Sequence, residues 1–396
     1  MASVNAAAAP RPTRPPPWRD PAVRAIAIQV LFVAAVAGLI AFLAYNTFAN
    51  LRRQNIATGF GFLEREAAFG IGESVIAYSP ADSYARAFLV GLTNTLYVAA
   101  IGVVLATILG TVMGLARLSS NWLVAKLALV YVETFRNIPL ALQLLFWWGL
   151  LREGAPAPRQ AWQPLPGVFV SNRGILFPVP QEDPVHFWML LAVVFGIFAT
   201  VAVRRWARRR QEASGRQFPT GWVGLGLVLG LPLAAFAAGG APHSLDWPQL
   251  KGFNFAGGVA ISPEFTALLL GLVIYTGSFI AEIVRAGILS VNWGQSEAAM
   301  ALGLKSGQRM RLVVLPQALR VIVPPMTSEY LSLTKNSSLA VIIGFPDLVS
   351  IANTTINQTG QAVEGIAMIM LVYLVISLLI SLAMNLYNRS VALVER

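Results

Sequence analysis

The chain has 396 residues, 56% of them hydrophobic and 12% charged, with no cysteine and a net charge of +11. Soluble domains carry about 25% charged residues, so this chain has too little polar surface to coat a water-soluble globule, and several runs reach the roughly 20 apolar residues that cross a bilayer. The missing cysteines exclude disulfides, Fe–S clusters and Cys-bound zinc, and two histidines set far apart, His186 and His243, are a poor basis for a metal site or a catalytic triad.

Composition therefore gives an all-α class, a polytopic helical membrane protein. Residues 1–24 hold six prolines and four arginines and cannot bury enough apolar surface to order themselves; a flexible cytoplasmic tail is expected. The following run, 26–48, exceeds the roughly 7–15 residues of a signal-peptide core and reads as a retained span. Further spans are expected at 87–116, 122–150, 187–203, 222–239, 264–287, 320–344 and 366–388, eight with the first. The span at 320–344 contains Pro324, Pro325, Glu329, Lys335 and Asn336, so it must face protein or a hydrated cavity.

With the N-terminus inside, 20 of the 29 Lys and Arg residues fall on inner segments and 8 on outer ones. The positive-inside rule then puts both termini in the cytoplasm and accounts for the basic charge without invoking nucleic acid. The cluster Arg204–Arg210 reads as a stop-transfer anchor in preference to a lipid-headgroup or nucleic-acid site. The stretch 151–262, rich in Pro and Trp with two modest spans, looks like an insertion into a compact core. The expected divisions are 1–24 (tail), 25–86 (first span and outer segment), 87–150 (first part of the core), 151–262 (insertion) and 263–396 (second part of the core).

One inner loop, 291–320, has a pattern that an ordinary bilayer-lying loop would not need. Gln295 to Leu302 can form two helical turns with Glu297 in the first turn, near the positive dipole end. Gly303 permits a sharp bend, a second short helix can run from Ser306 to about Leu315, and Pro316 redirects the chain into the next span. The result is a helical hook outside the membrane.

The spacing is Glu297-Ala298-Ala299, three residues, Gly303, nine residues, Val313, one residue, Leu315-Pro316. It resembles the EAA motif of ABC importer permeases, with Val in place of the more usual Ile. SFIAEIVRAGILSVNWGQSE (278–297), KNSSLAVI (335–342) and YVETFRNIPLALQ (131–143) are similar to stretches of the polar amino-acid uptake family. The last carries Asn137 and Ile138 before Pro139 where the family usually has Gly-Thr. The first span, the outer stretch 55–74 and the insertion resemble the larger permease subunit of proteobacterial general L-amino-acid or glutamate/glutamine/aspartate/asparagine importers.

The resemblance implies a type I (MetI-like) ABC importer transmembrane domain in the bacterial inner membrane. It also implies a second homologous permease subunit, two copies of a cytoplasmic ABC ATPase, a periplasmic amino-acid-binding protein and an amino-acid substrate. The coupling residues would be Glu297, Ala298, Ala299, Gly303, Leu315 and Pro316, inserted into a groove of the ATPase. The chain has no Gly-Lys dipeptide and hence no Walker A loop, so no cofactor is expected in it; ATP and Mg would sit on the partner.

Amino acids are zwitterions, and isolated charge in hydrocarbon is costly. Thr276, Ser278, Glu282, Thr327, Ser328, Glu329, Lys335 and Asn336 are candidates to line a hydrated route between this chain and a second permease. A structural reading stands beside it: Glu282 and Arg285 pair at i,i+3 spacing, and Lys335 pairs with another helix. Outer loops 49–86 and 151–186 suit either docking of a binding protein or an interfacial helix. A stand-alone secondary transporter or channel is the alternative function; a membrane enzyme has no supporting constellation. Deleting residues 2–20 should leave uptake nearly unchanged in a transport assay; a large loss would show that the tail does more than dissolve in the cytoplasm.

Overall fold

The computed structural model describes residues 20–54 and 58–391. Most of the expected tail, and the C-terminal Arg396, lie outside the described residues. Residues 21–24 are already helix. In chain order the helices are α1 (Pro21–Arg53), α2 (Tyr84–Ala116), α3 (Trp122–Asn137), α4 (Leu140–Glu153), α5 (Pro184–Ser214), α6 (Thr220–Ala238), α7 (Pro263–Leu289), α8 (Trp293–Ala301), α9 (Ser306–Arg309), α10 (Leu315–Asn336), α11 (Leu348–Thr359) and α12 (Ala362–Val391). Short strands are β1 (Trp162–Leu165), β2 (Val168–Ser171), β3 (Gly174–Phe177), β4 (Val179–Pro180), β5 (Leu245–Asp246), β6 (Gln249–Lys251), β7 (Asn254–Ala256) and β8 (Val259–Ile261).

Among the described residues, six helices are long and apolar enough to cross a membrane: α1, α2, α5, α6, α7 and α12. A bent pair, Ser306–Ile343 and Leu348–Thr359, which meet at 51°, passes the same test together and brings the number to seven when the pair is counted as one span. The remaining expected span, 122–150, is corrected on one point: it is not one helix but two, α3 and α4. Pro139 pushes the preceding residue out of the helical region. Ile138 is accordingly extended (φ −97°, ψ 125°), and α4 restarts after the proline. Gln143 Nε2 donates to the carbonyls of Phe135 and Ile138, each at 2.9 Å, which satisfies backbone groups that the break frees.

The expected span 320–344 ends as helix at Ile343, beyond which Gly344 takes φ +80°. The chain then turns through buried Phe345 and Asp347 into α11, where Asp347 Oδ1 accepts from Ser350 N at 2.8 Å. A break at membrane depth is tolerated only where its backbone groups find partners in protein. Asn94 Nδ2 donates to the carbonyls of Glu73 and Pro346, both at 2.9 Å, and Leu348 N donates to Thr95 Oγ1 at 3.1 Å. Two adjacent polar residues in the first half of α2 therefore hold the bend.

The core forms around α7, which packs on α2, α3, α4 and α10. Between helices in lipid, attraction comes chiefly from close packing, so small residues collect at the seams. The tightest seam joins α2 to α7. A Cβ at Gly110 would lie 2.5 Å from Ile280 Cβ, and one at Gly114 would lie 2.7 Å from the Ala281 carbonyl oxygen.

The stretch 151–262, expected to be an insertion, is not wholly helical. β1, β2, β3 and β8 form an antiparallel sheet in that order, and β4 pairs with β5. Segments on either side of the α5–α6 hairpin thus zip together at its base. None of the hydrophobic stretch of α1 is buried within the chain.

Gly110→Ala should cost about 1–3 kcal/mol by overpacking and lower the thermal unfolding midpoint of the purified protein. Gly149→Ala, where the added methyl meets nothing within 4 Å, should leave it unchanged or raise it slightly, since alanine is the better helix former. Equal responses would remove close packing as the reason for Gly110.

Candidate functional site

The hook is built from local signals. Asn292 caps α8 by accepting from Gly294 N at 2.8 Å. This cap starts the helix at Trp293, two residues ahead of the expected Gln295, so Glu297 lies beyond the first turn and gains little from the helix dipole. The end of α8 is closed by Leu304 N donating to the Ala299 carbonyl at 3.1 Å and Gly303 N donating to the Met300 carbonyl at 2.9 Å. Gly303 takes φ +75°. This is the geometry of a glycine-terminated helix, and a β-carbon at that φ would be strained.

The second half of the hook departs from expectation. The helix of α9 passes through a π-turn at Met310–Val314 and continues without interruption into α10, with Pro316 in its first turn. Proline inside a helix lacks a donor and crowds the carbonyl four residues back. The i→i+5 pattern of a π-turn just ahead of Pro316 relaxes that conflict, so the chain is not redirected there. Gln317 Nε2 donates to the Val313 carbonyl at 3.0 Å and reaches Gln295 Oε1 at 3.5 Å, which links α8 to the root of α10.

This fold sorts the motif residues. Ala299 is buried, as are Ser296 and Val314 nearby. Glu297, Ala298, Gly303, Leu315 and Pro316 are exposed. Beside them stand uncovered apolar side chains, among them Trp293, Met300 and Leu312, with Leu302 at 81% exposure.

The polar groups of α7 and α10 divide likewise. Thr276 and Ser278 are buried in the core, and Ser278 Oγ donates to the Tyr275 carbonyl at 2.6 Å. Glu282 is held by two arginines: Arg285 Nη2 donates to its Oε1 at 2.6 Å, and Arg117 Nη1 donates to its Oε2. The i,i+3 pair is therefore present, and Arg117 at the end of α2 extends it across the α2–α7 seam. Arg136, at the end of α3, lies over the Phe279 ring at 5.0 Å. Thr327, Glu329 and Asn336 are half-buried, whereas Ser328 and Lys335 are exposed. Lys335 forms no ion pair among the described residues.

At the opposite end of α7, Glu264 accepts from Arg152 at 2.8 Å and from Trp148 Nε1 at 3.2 Å. Ser262 Oγ donates to Glu73 Oε2. Burial pushes the Glu73 carboxyl above its ordinary value, against the lowering effect of the Ser262 hydrogen bond, and the Glu264 charge adds to the rise. The residues that sequence reasoning passed over are Asn94 and Thr95. Their signal was a polar pair in an otherwise apolar run, but the bend they hold is some 250 residues away along the chain.

No group of three or more metal-ligating side chains occurs among the described residues. Glu282→Gln should lower stability by about 1–2 kcal/mol, since two arginines lose a charged acceptor. Arg152→Ala, at a pair whose arginine is 53% exposed, should cost about 0–1 kcal/mol. Thermal unfolding of the purified variants checks both, and a larger loss for Arg152→Ala would overturn the ranking.

Residues 102–393 match the family model described as binding-protein-dependent transport system inner membrane component. The chain is 50% identical to the putative amino-acid ABC transporter permease protein YhdX of Escherichia coli K12, over 96% of this chain and 97% of the relative. It is 49% identical to the general L-amino acid transport system permease protein AapQ of Rhizobium johnstonii, over 95% and 94% of the two chains. Identity to the glutamate/glutamine/aspartate/asparagine transport system permease protein BztB of Rhodobacter capsulatus is 43%, over 95% and 96%. The chain belongs to the family of binding-protein-dependent transport system inner membrane components.

Proposed function

We propose that this multi-pass membrane protein is the larger permease subunit of an ATP-driven importer of amino acids, coupled through residues 295–316 to an ATPase made by another gene. The observation that carries the reading is the hook: a rigid, capped helix–turn–helix with Glu297, Ala298 and an apolar rim turned outward. An uncovered apolar surface of this kind marks an interaction site. The names of three relatives that match nearly the whole chain support amino acids as the substrate class.

The uninterrupted helix from the hook into α10 supports a mechanical reading. Motion of the ATPases, driven by ATP and Mg bound there, displaces the hook, and α10 transmits the displacement as a rigid-body tilt. Of the candidate route residues, Ser328 and Lys335 are free to face a second permease, and Thr327, Glu329 and Asn336 border that face. Lys335 would offer a cation to a substrate carboxylate. Glu282 acts as a brace between Arg117 and Arg285. A periplasmic binding protein delivers substrate to the outer face, α3 and α4 together make an eighth, broken crossing so that both termini lie in the cytoplasm, and 151–262 is an insertion between the two parts of the core.

Glu297→Lys and Gly303→Asp should abolish uptake and substrate-stimulated ATP hydrolysis in the assembled transporter while leaving membrane insertion intact. Normal coupling in both variants, or uptake by this chain alone in liposomes without ATP, would sink the proposal.

A further inference from the structure

The α5–α6 hairpin carries a feature that transport coupling does not use. The two helices cross closely where a Cβ at Gly196 would lie 2.7 Å from the Leu227 carbonyl oxygen, and Thr200 Oγ1 donates across to the Gly224 carbonyl at 3.4 Å. Beyond this crossing α5 continues to Ser214, Gly215 (φ +67°) ends it, and the chain returns to α6 at Thr220. The space left between the helices is a cavity of about 520 Å³, lined by Arg204, Arg205, Arg208, Gln211, Phe218 and Thr220 among others.

Stop-transfer charges need only be present; they need no concave arrangement. Here three guanidinium groups line one cavity, and none of them forms an ion pair among the described residues. The one acid between Pro184 and Ser244 is Glu212, which does not line the cavity. The first residue of the 19-residue helix α6 is also part of the wall, and a helix N-terminus favours anions.

The depth of the cavity identifies the source of the anion. The stretch Pro184–Val203 is the part of α5 ahead of the arginines; its 20 residues rise about 30 Å, the thickness of a bilayer hydrocarbon core. The cavity therefore opens at headgroup level. Exposed Trp206 and Trp222 stand at that same level, as interfacial aromatic anchors do, and Arg210 stacks on Trp206 at 5.3 Å. We propose that this cavity binds the phosphate headgroup of an anionic phospholipid, with Arg204 and Arg208 gripping the phosphate.

The test uses the intact transporter in nanodiscs. Tryptophan quenching by brominated phosphatidylglycerol is compared with quenching by brominated phosphatidylcholine, and sn-glycerol 3-phosphate serves as the soluble competitor. Phosphatidylglycerol should be preferred about tenfold, and the soluble phosphate should not displace it. R204Q/R208Q should reduce the preference to about twofold or less, whereas R209Q/R210Q, with equal charge loss outside the cavity wall, should retain it. Equal losses in the two variants, no preference in the native chain, or displacement by the soluble phosphate would each overturn the proposal. Because these arginines can also set orientation, a Ser214→Cys label in this cysteine-free chain reports the side on which the hairpin loop lies. Should R204Q/R208Q invert it, R204K/R208K preserves charge while removing the bidentate fork. That variant should still lose about threefold of the preference; a preference retained in full would overturn the proposal.

Discussion

The α2–α7 seam is the contact on which the remaining architecture depends. In lipid, helices gain nothing by hiding apolar surface, and association rests on packing and polar contacts between helices. Gly110 and Gly114 bring the two backbones together, and Arg117 closes the seam at one end by bonding Glu282. Toward the other end, Asn94 and Thr95 of α2 hold the turn that leads from α10 into α11. One helix pair thus fixes both the charged end of the core and the bend between α10 and α11, ahead of α12.

In the proposed coupling, that frame is what the hook pushes against. The hook itself is made of local devices: the Asn292 cap, the Gly303 turn and the π-turn before Pro316. Its inward residues, Ala299 and Val314, are apolar, whereas Glu297 and Ala298 point away. The helical path from hook to α10 is continuous, so displacement at the hook cannot be absorbed by a hinge at Pro316. The π-turn is the reason, since it lets a proline enter a helix without breaking it.

The insertion follows a different rule. Its hairpin is joined at a base where β3 meets β8 and β4 meets β5, and its helices pack mainly on each other. Its apolar surface is largely exposed; in the proposed reading that surface faces lipid and the arginines meet the interface. Such a unit can take up a lipid-binding role without altering the packing of the core.

Much of this was legible in the residues alone. Low charge and long apolar runs fixed a helical membrane protein, because a bilayer demands about 20 apolar residues per crossing. The spacing from Glu297 to Pro316 marked the hook, since caps and glycine turns act over a few residues. What needed the tertiary structure was every feature built by contacts distant in the chain. The bend at Gly344 is held by side chains of α2. The strands of the insertion pair across an entire helical hairpin, and the fate of Glu282 was decided by Arg117, 165 residues away. Local pattern sets which segments are apolar and where helices begin; only packing decides which polar groups find each other, because an unpaired one inside a membrane costs more than any local preference can supply.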